Sequence, residues 1–377
     1  MSIFTSGFFY IVPFLVVLTV LVFVHELGHY LVARWNGVRV DVFSIGFGPE
    51  IFGWNDRAGT RWKFSAVPLG GYVKMFGDAD PASMASPNVA AMSEEEKAVS
   101  FHHKRLMQRV AVVSAGPVAN FVFAIVALAI LFMTAGQPFT PAQIGSIQPD
   151  SAAAAGGLQP GDTIVAIDGH SVARFEDIQR DVRLNAGTSM NLLVQRGDGQ
   201  ITLSVTPRTT AITDRFGNEH SFGLLGIERN GMDYVRRNPI DAVWRAGDET
   251  LNLCTGTLTA VWQMIIGART TDELGGPLRI AQMSGEVAQG GVVALVWFMA
   301  VLSVNLGLIN LFPIPVLDGG HLLFYFAEAL RGRPLGARAQ EYGFRVGLAL
   351  VLTLMVFATW NDLVHLRVIA FLKGLVS

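Results

Sequence analysis

Charged residues are scarce in this chain. They make up only 15% of its 377 residues, whereas hydrophobic residues make up 51%, and the mean hydropathy is +0.42. This composition excludes an ordinary soluble protein and is typical of a membrane protein. The net charge of −2 and the lack of a basic stripe with interleaved aromatic residues exclude nucleic acid as a partner and leave the lipid bilayer.

Cysteine is almost absent. The single cysteine, Cys254, cannot form a disulfide within the chain, so it says little about the redox compartment. Any bound metal must therefore rely on histidine, aspartate or glutamate.

Four apolar runs approach the length of about 20 residues that a helix needs to span a bilayer. They cover roughly Gly7–Ala33, Leu106–Met133, Val292–Phe312 and Tyr342–Phe357, and the last could extend to Leu366. No basic residue precedes the first run and no small-residue cleavage site follows it, so we expect a retained span rather than a signal peptide.

Lysine and arginine are missing from residues 1–33 and concentrate in two loops. Nine follow the first run within residues 34–105, and four lie in residues 331–345. By the positive-inside rule both loops are cytoplasmic, and both termini and residues 136–290 lie outside. We therefore predict a multi-pass protein of a bacterial inner membrane, with the periplasm as the outside.

The long segment between the second and third runs reads as a separate folded domain. Gly-Gly, Pro-Gly-Asp and Asp-Gly turns separate short β-type runs at Thr163–Asp168, Met190–Gln195 and Gln200–Val205. These features predict a small periplasmic α+β domain over residues 136–228. Residues 229–290 form a linker with amphipathic helices suited to a membrane surface, with apolar positions at Val243, Leu251, Leu258, Trp262 and Ile265.

The two ends of the chain form the two halves of a membrane core. Residues 1–135 contain the first two spans, a membrane-associated β region at 40–76 and an acidic segment at 78–99 that we predict to be a mobile loop. Residues 291–377 contain the last two spans. The predicted fold class is a polytopic α-helical membrane protein with about four spans, a β-hairpin region and an inserted periplasmic domain.

The stretch VLVFVHELGHYLVAR places three titratable side chains inside the first apolar run. His25 and His29 lie one helical turn apart, so both imidazoles can reach one ion, and Glu26 lies on the adjacent flank. HExxH on a helix is the pattern of zinc hydrolases, with two ligands and a general base. The alternative is a pair of histidines hydrogen-bonded within a helix bundle.

A catalytic zinc needs a third protein ligand. In NLFPIPVLDGGHLLF, proline and glycine should break the third span near its cytoplasmic end, at the depth of His25 and His29. Asp318 lies in this break and is the predicted third ligand. His321 is a competing ligand, and Asp318 could instead merely cap the following helix.

Three motifs carry a resemblance to a known family. HELGH, AGPVANF (Ala115–Phe121) and NLFPIPVLDGG resemble those of the site-2 protease family of intramembrane zinc metalloproteases. The four-span plan with one external PDZ-like insert is similar to a single-PDZ form of its regulator of sigma-E protease branch. The resemblance implies that His25, His29 and Asp318 bind Zn²⁺ and that Glu26 activates water.

The resemblance also implies substrate-binding residues. Asn310 would hydrogen-bond the substrate backbone, although it could instead break the helix and bond its own neighbours. A membrane-associated β-loop of the family falls at Pro68–Met75 here. Because a spanning helix must unwind before it is cut, its freed amides need new partners, which an exposed strand edge supplies. The candidate edge contains Gly70, Gly71, Tyr72, Val73 and Lys74. A hairpin that seals the cytoplasmic face is the alternative.

By resemblance, the substrates are single-span membrane proteins such as anti-sigma factors, already cut by an upstream periplasmic protease, and signal-peptide remnants. The process is regulated intramembrane proteolysis in a stress response. Two other functions use the same features. A metal transporter would use the same ligands without needing Glu26, and a membrane scaffold would act through the PDZ-like domain alone.

Overall fold

The computed structural model of the chain describes residues 3–78, 91–213, 219–231, 233–267 and 275–365. The chain divides into two compact units. The first contains residues 1–130, 243–258 and 271–377, and the second contains residues 131–242 and 259–270.

Ten helices are numbered here in chain order within the described residues. They are α1 (Ile3–Trp35), α2 (Glu94–Val99), α3 (Leu106–Thr134), α4 (Ala152–Ala155), α5 (Phe175–Leu184), α6 (Pro239–Ile265), α7 (Pro277–Gln289), α8 (Val292–Leu311), α9 (Asp318–Arg331) and α10 (Ala337–His365). Among them α1, α3, α8 and α10 are long and apolar enough to cross a membrane. The four predicted spans are confirmed as helices of this kind.

The strands form one wrapped pair in the first unit and several small sheets in the second. They are β1 (Val40–Asn55), β2 (Arg61–Met75), β3 (Gln137–Phe139), β4 (Ile144–Ile147), β5 (Thr163–Ile167), β6 (His170–Ser171), β7 (Met190–Arg196), β8 (Gly199–Val205), β9 (Arg208–Thr213), β10 (Glu219–Leu224), β11 (Ile227–Arg229) and β12 (Asp233–Val235).

The long strands β1 and β2 fold back on each other. Phe43 in the first half of β1 pairs with Val73 near the end of β2 and also with Trp62 near its start. The second half of β1 pairs with the start of β2 through Trp54 and Trp62. The segments therefore lie in the order 50–55, 61–65, 42–45 and 71–74. Among the strands that the structure describes, residues 71–74 pair with β1 alone and form an edge.

The predicted loop at 78–99 is wrong at both of its described ends, while residues 79–90 lie outside the described residues. Asp78 is buried, accepts a hydrogen bond from the Met75 amide at 2.9 Å and contacts His102 Nε2 at 2.9 Å. At the other end, Ser93 and Glu96 form a capping box that begins α2. The Ser-x-x-Glu spacing was the missed signal, because each side chain satisfies a free amide of the first turn.

The second unit has its own apolar core. A four-stranded antiparallel sheet of order β6-β5-β7-β8 packs with α5 around fully buried Ile164, Leu192 and Val194. Strand β12 pairs with β3, so the unit continues past residue 228, the predicted end of this domain. The predicted linker becomes helical only at Pro239, where Asn238 caps α6 by accepting from the Asp241 amide.

A buried ion pair joins the start of β5 to the end of β7. The Asp162 side chain is 1% exposed, and its two carboxylate oxygens accept from Arg196 Nε at 2.8 Å and a terminal guanidinium nitrogen at 2.7 Å. These hydrogen bonds favour the charged carboxylate and lower the pKa of Asp162. The pair therefore contributes a pH-dependent term to the stability of this unit.

We expect acid to weaken the second unit through Asp162. Because the pKa of Asp162 is lower in the folded state, the unfolded state binds more protons, and the stabilisation is complete above the ordinary pKa of about 3.9. It is lost as pH falls from there through the folded pKa. Hydrogen–deuterium exchange of β5 and β7 peptides in the full chain, corrected for intrinsic exchange rates, should show protection falling over this range.

Arg196→Leu should lower protection at pH 7 and remove this acid-dependent step. Arg180→Leu is the control, since Arg180 makes only exposed pairs in the same unit. If Arg196→Leu and wild type lost protection in parallel between pH 5 and pH 2.5, the assignment of the step to Asp162 would be wrong.

Candidate metal centre

Helix α1 and the start of α9 bring three metal-ligating side chains together in the first unit. His25 and His29 lie one turn apart on α1, and Asp318 is the first residue of α9. The Nε2 atoms of the two histidines lie 3.3 Å apart. Asp318 Oδ2 lies 3.2 Å from His25 Nε2 and 3.4 Å from His29 Nε2. The three residues predicted as ligands thus converge on one point.

These atoms have the spacing and chemistry of a zinc site. Tetrahedral coordination with bonds of 2.0–2.1 Å places ligand atoms about 3.3 Å apart. Asp318 Oδ2 is buried and makes no hydrogen bond, although both imidazole nitrogens face it. Electron-pair donors aimed at one point repel each other unless a cation lies between them, so the residues fit the metal. No fourth His, Cys, Asp or Glu of the described residues joins the group, which suits a catalytic site.

The loop between α8 and α9 presents Asp318 through irregular backbone. Helix α8 ends at Leu311, before two prolines, and Val316 has a φ of 94°, a left-handed conformation that a β-branched residue rarely adopts. Gly319 allows close approach here, since a Cβ atom at this position would collide with the Leu311 and Phe312 carbonyls. The strain at Val316 lies two residues from a predicted ligand, as strained backbone often does at functional sites.

The two histidines lie where α1 and α3 approach each other very closely. A Cβ atom on Gly28, inside the HExxH motif, would collide with the Ala115 carbonyl and lie 2.7 Å from Ala119 Cβ. A Cβ atom on Gly116 would collide with His29 Nε2. The small residues of AGPVANF therefore form the surface against which the HExxH helix packs.

The far nitrogen of each imidazole also has a partner on α3. His29 Nδ1 lies 2.9 Å from the Val112 carbonyl oxygen, and His25 Nδ1 lies 3.1 Å from the Asn120 side-chain amide. Such contacts orient metal-ligating histidines. Sequence reasoning assigned no such contact to Asn120. The available signal was its spacing of one helical turn from Gly116, which puts both residues on the face that meets α1.

Glu26 lies beside the ligand group without joining it. Its carboxylate is close enough to interact with His25, His29 and Asp318, and it lies near the backbone of Val73. Strand β2 comes close to the Glu26 side chain at Gly71, because a Cβ atom on Gly71 would lie 3.2 Å from Glu26 Cγ. The edge of β2 therefore runs past the carboxylate that we predicted as the general base.

The remaining edge residues lie on the same end of β2. Gly70 has a φ of 94°, and a Cβ atom there would lie 2.7 Å from the Phe47 ring. The Tyr72 ring stacks on Phe47 with centroids 6.0 Å apart. Lys74 pairs with Val42 and is half-buried. Tyr72 thus contributes to packing, whereas the backbone at Gly71 lies next to Glu26.

Two other sequence candidates have clear positions. Asn310 is half-buried one residue before the end of α8 and has no side-chain hydrogen bond to the described part of the chain. Among the described residues, the Asn310 side chain therefore does not bond its own neighbours, which was the alternative role predicted from the sequence. His321, the competing ligand, lies with its ring against Phe344 at 5.2 Å between centroids and outside the ligand group.

Residues 13–354 match the sequence model of Peptidase family M50, which covers both halves of the candidate centre. The chain belongs to this family, the site-2 proteases. The family is zinc-dependent, so this protein is a zinc metalloprotease of the membrane.

Curated relatives agree over nearly the full chain. A protein of Agrobacterium fabrum, provisionally named a zinc metalloprotease, is 49% identical over 94% of this chain and 95% of its own length. A similarly named protein of Rhizobium meliloti is 46% identical over 96% of this chain and 99% of its own. The metalloprotease MmpA of Caulobacter vibrioides is 37% identical over 97% of this chain and 98% of its own length.

A solved structure is similar to part of the chain. It is the PDZ domain of an SdrC-like protein from Listeria monocytogenes, which is 22% identical. The match covers 24% of this chain and 88% of that domain's chain, with a TM-score of 0.18. A score this low carries no argument about the fold of the second unit.

We expect Gly319→Ala to damage the metal site without touching a ligand. The added methyl group would displace the loop that carries Asp318, and a ligand misplaced by about 1 Å costs roughly 100-fold in rate. Zinc content after dialysis against a chelator should fall together with activity. Gly336→Ala is the control, because a Cβ atom there meets nothing within 4 Å. Full zinc retention in Gly319→Ala would contradict the role of this close approach.

Proposed function

We propose that this protein is an intramembrane protease that hydrolyses peptide bonds in or near the transmembrane segments of single-span proteins. The observation that carries the proposal is the position of the candidate centre. His25, Glu26 and His29 lie inside the candidate span Phe9–Trp35, directly beside a strand edge. A protease site within a span has its substrates in the bilayer.

The depth of the site supports cleavage near the cytoplasmic side of the inner membrane. At 1.5 Å per residue, His25 and His29 lie about 15 and 9 Å from the end of α1 at Trp35. Arg34 marks that end as cytoplasmic by the positive-inside rule, because many basic residues follow it in the next loop. One product would then leave on the cytoplasmic side.

The residues around the centre suit peptide hydrolysis. Zinc held by His25, His29 and Asp318 would supply Lewis acidity and a water of lowered pKa. Glu26, next to the ligands but outside their group, would take the proton of the attacking water and deliver it to the leaving amine. Asn310, without a competing partner among the described residues, would bind the substrate backbone.

The strand edge would hold the substrate during this reaction. An unwound segment exposes amides that cost several kcal/mol each in a dry site unless they are paired. Residues 71–74 can pair with it by β-addition, since their other side faces no described strand. Because Gly71 lies against Glu26, a segment paired at this edge would lie next to the general base.

The second unit would act on the substrate outside the membrane, as a PDZ-like domain. It contains a groove between α5 and β11, lined by Phe175, Glu176, Gln179, Ile227, Glu228 and Arg229. Substrates trimmed beforehand by a periplasmic protease, such as anti-sigma factors or signal-peptide remnants, would be compact enough to reach the site. Transport or scaffolding would leave Glu26 and the adjacent strand edge without a role.

We expect Glu26→Gln to abolish cleavage while zinc stays bound. Glutamine has a similar shape but cannot take a proton, so the rate should fall by 10²–10⁴-fold. The purified protein in liposomes, with a tagged single-span substrate, gives the rate, and elemental analysis gives the zinc content. Chelator-treated wild type is the metal-free control. Cleavage by Glu26→Gln at the wild-type rate would refute this mechanism.

We expect Val73→Pro to weaken substrate binding at the strand edge. Proline removes the Val73 amide as a donor to an added strand, and one hydrogen bond contributes about 1 kcal/mol, so kcat/KM should fall roughly fivefold. Val73→Ala is the matched control, since it shortens the same buried side chain and keeps the amide. Equal kcat/KM values for the proline and alanine variants would rule out a role for this amide.

A further inference from the structure

We propose that Asn120 is a positioning residue for the zinc ligand His25. Its side-chain oxygen accepts a hydrogen bond from His25 Nδ1 and thereby directs Nε2 toward the metal. Asn120 lies on α3, is fully buried and has its side-chain amide 3.1 Å from His25 Nδ1. This inference rests on the proposed zinc site, because it concerns the orientation of one of its ligands.

The position of His25 in the ligand group fixes its tautomer. Its Nε2 atom lies 3.3 Å from His29 Nε2 and 3.2 Å from Asp318 Oδ2, so this nitrogen belongs to the ligand group. A metal-binding nitrogen carries no hydrogen, and a neutral imidazole carries one on the other nitrogen. Nδ1 of His25 therefore carries the hydrogen and needs an acceptor.

The two histidines have different partners on the side away from the metal. His29 Nδ1 lies 2.9 Å from the Val112 carbonyl oxygen, which can only accept. His29 therefore has the arrangement that a metal-binding imidazole requires, with a hydrogen bond on its far side. At His25 the equivalent position is occupied by the Asn120 amide.

The Asn120 amide can adopt two orientations that differ by exchange of its oxygen and nitrogen. With Nδ2 toward His25, a donor faces a donor, while Asn120 Oδ1 is buried without a hydrogen-bond partner. Exchanging the amide oxygen and nitrogen places Oδ1 against Nδ1–H. This single exchange, which the nearly identical shapes of the two groups allow, gives Nδ1–H an acceptor and Oδ1 a donor, and it moves Nδ2 to the position that Oδ1 now occupies.

The backbone of Asn120 is held in place by the helix that leads to Asp318. Ser303 of α8 is fully buried, and its hydroxyl donates to the Asn120 carbonyl oxygen at 2.9 Å. Asn120 therefore contacts a ligand on α1 through its side chain and α8 through its main chain. Its position couples the histidine ligands to the segment that presents the third ligand.

The test measures zinc affinity in the purified full-length protein, by competition with a chelator of known affinity. Asn120→Leu keeps the approximate size and removes the acceptor, so affinity should fall 10–100-fold, as is typical when an outer partner of a metal ligand is lost. Asn120→Asp restores an oxygen acceptor and should bring affinity back to within a few-fold of wild type. The visible spectrum of the cobalt-substituted protein should shift in Asn120→Leu and return in Asn120→Asp.

Further variants separate the possible outcomes. Thr250→Val removes a buried hydrogen bond within α6, which contributes no ligand, and its affinity should stay within threefold of wild type. If Asn120→Leu fails to fold, Asn120→Ala replaces it. His25→Ala should lose zinc, and if it kept wild-type affinity, the zinc site itself would be wrong.

The proposal is overturned if the acceptor makes no difference to metal binding. That outcome is wild-type affinity and an unchanged cobalt spectrum in the leucine or alanine variant, while His25→Ala loses zinc. A loss of affinity that Asn120→Asp does not restore would also overturn it, because it would indicate packing rather than a hydrogen bond.

Discussion

The close approach of α1 and α3 is the constraint on which the candidate centre depends. Lipid offers no hydrophobic drive for packing apolar helices together, so contact at this distance requires small residues. Gly28 packs against the Ala115 carbonyl, and Gly116 lies beneath the imidazole of His29. Because both glycines lie at the centre, the same contact joins the helices and places the ligands.

A second constraint is the irregular backbone before α9. Free carbonyl and amide groups at membrane depth are tolerated only when protein or a cavity surrounds them. Here Gly319 and Gly320 let the loop fold tightly onto itself. A Cβ atom on Gly320 would lie only 2.5 Å from the Ile314 carbonyl oxygen. Within this turn the Leu317 and Gly320 amides donate to the Ile314 and Leu317 carbonyl oxygens, while Asp318 points toward α1.

Periodicity and motif spacing were sufficient to predict much of this structure. The ligand positions on α1 follow from the 3.6-residue period, and the apolar runs predict the four long helices directly. The pairing of Phe43 with both ends of β2 could not be predicted from the sequence, because the register of a folded-back strand depends on tertiary contacts. The hydrogen bond between Asn120 and His25 was missed for the same reason, because 95 residues separate them.

The hydrogen bond between His29 and Val112 differs from the others around the centre in having a main-chain acceptor. A substitution at position 112 changes a side chain and leaves this carbonyl in place. The bond is lost only when the two helices move apart or the turn of α3 before Pro117 unfolds. Retention of a metal held by His29 would therefore depend on helix spacing itself, and zinc release would be a sensitive measure of damage to the bundle from detergent, heat or thin bilayers.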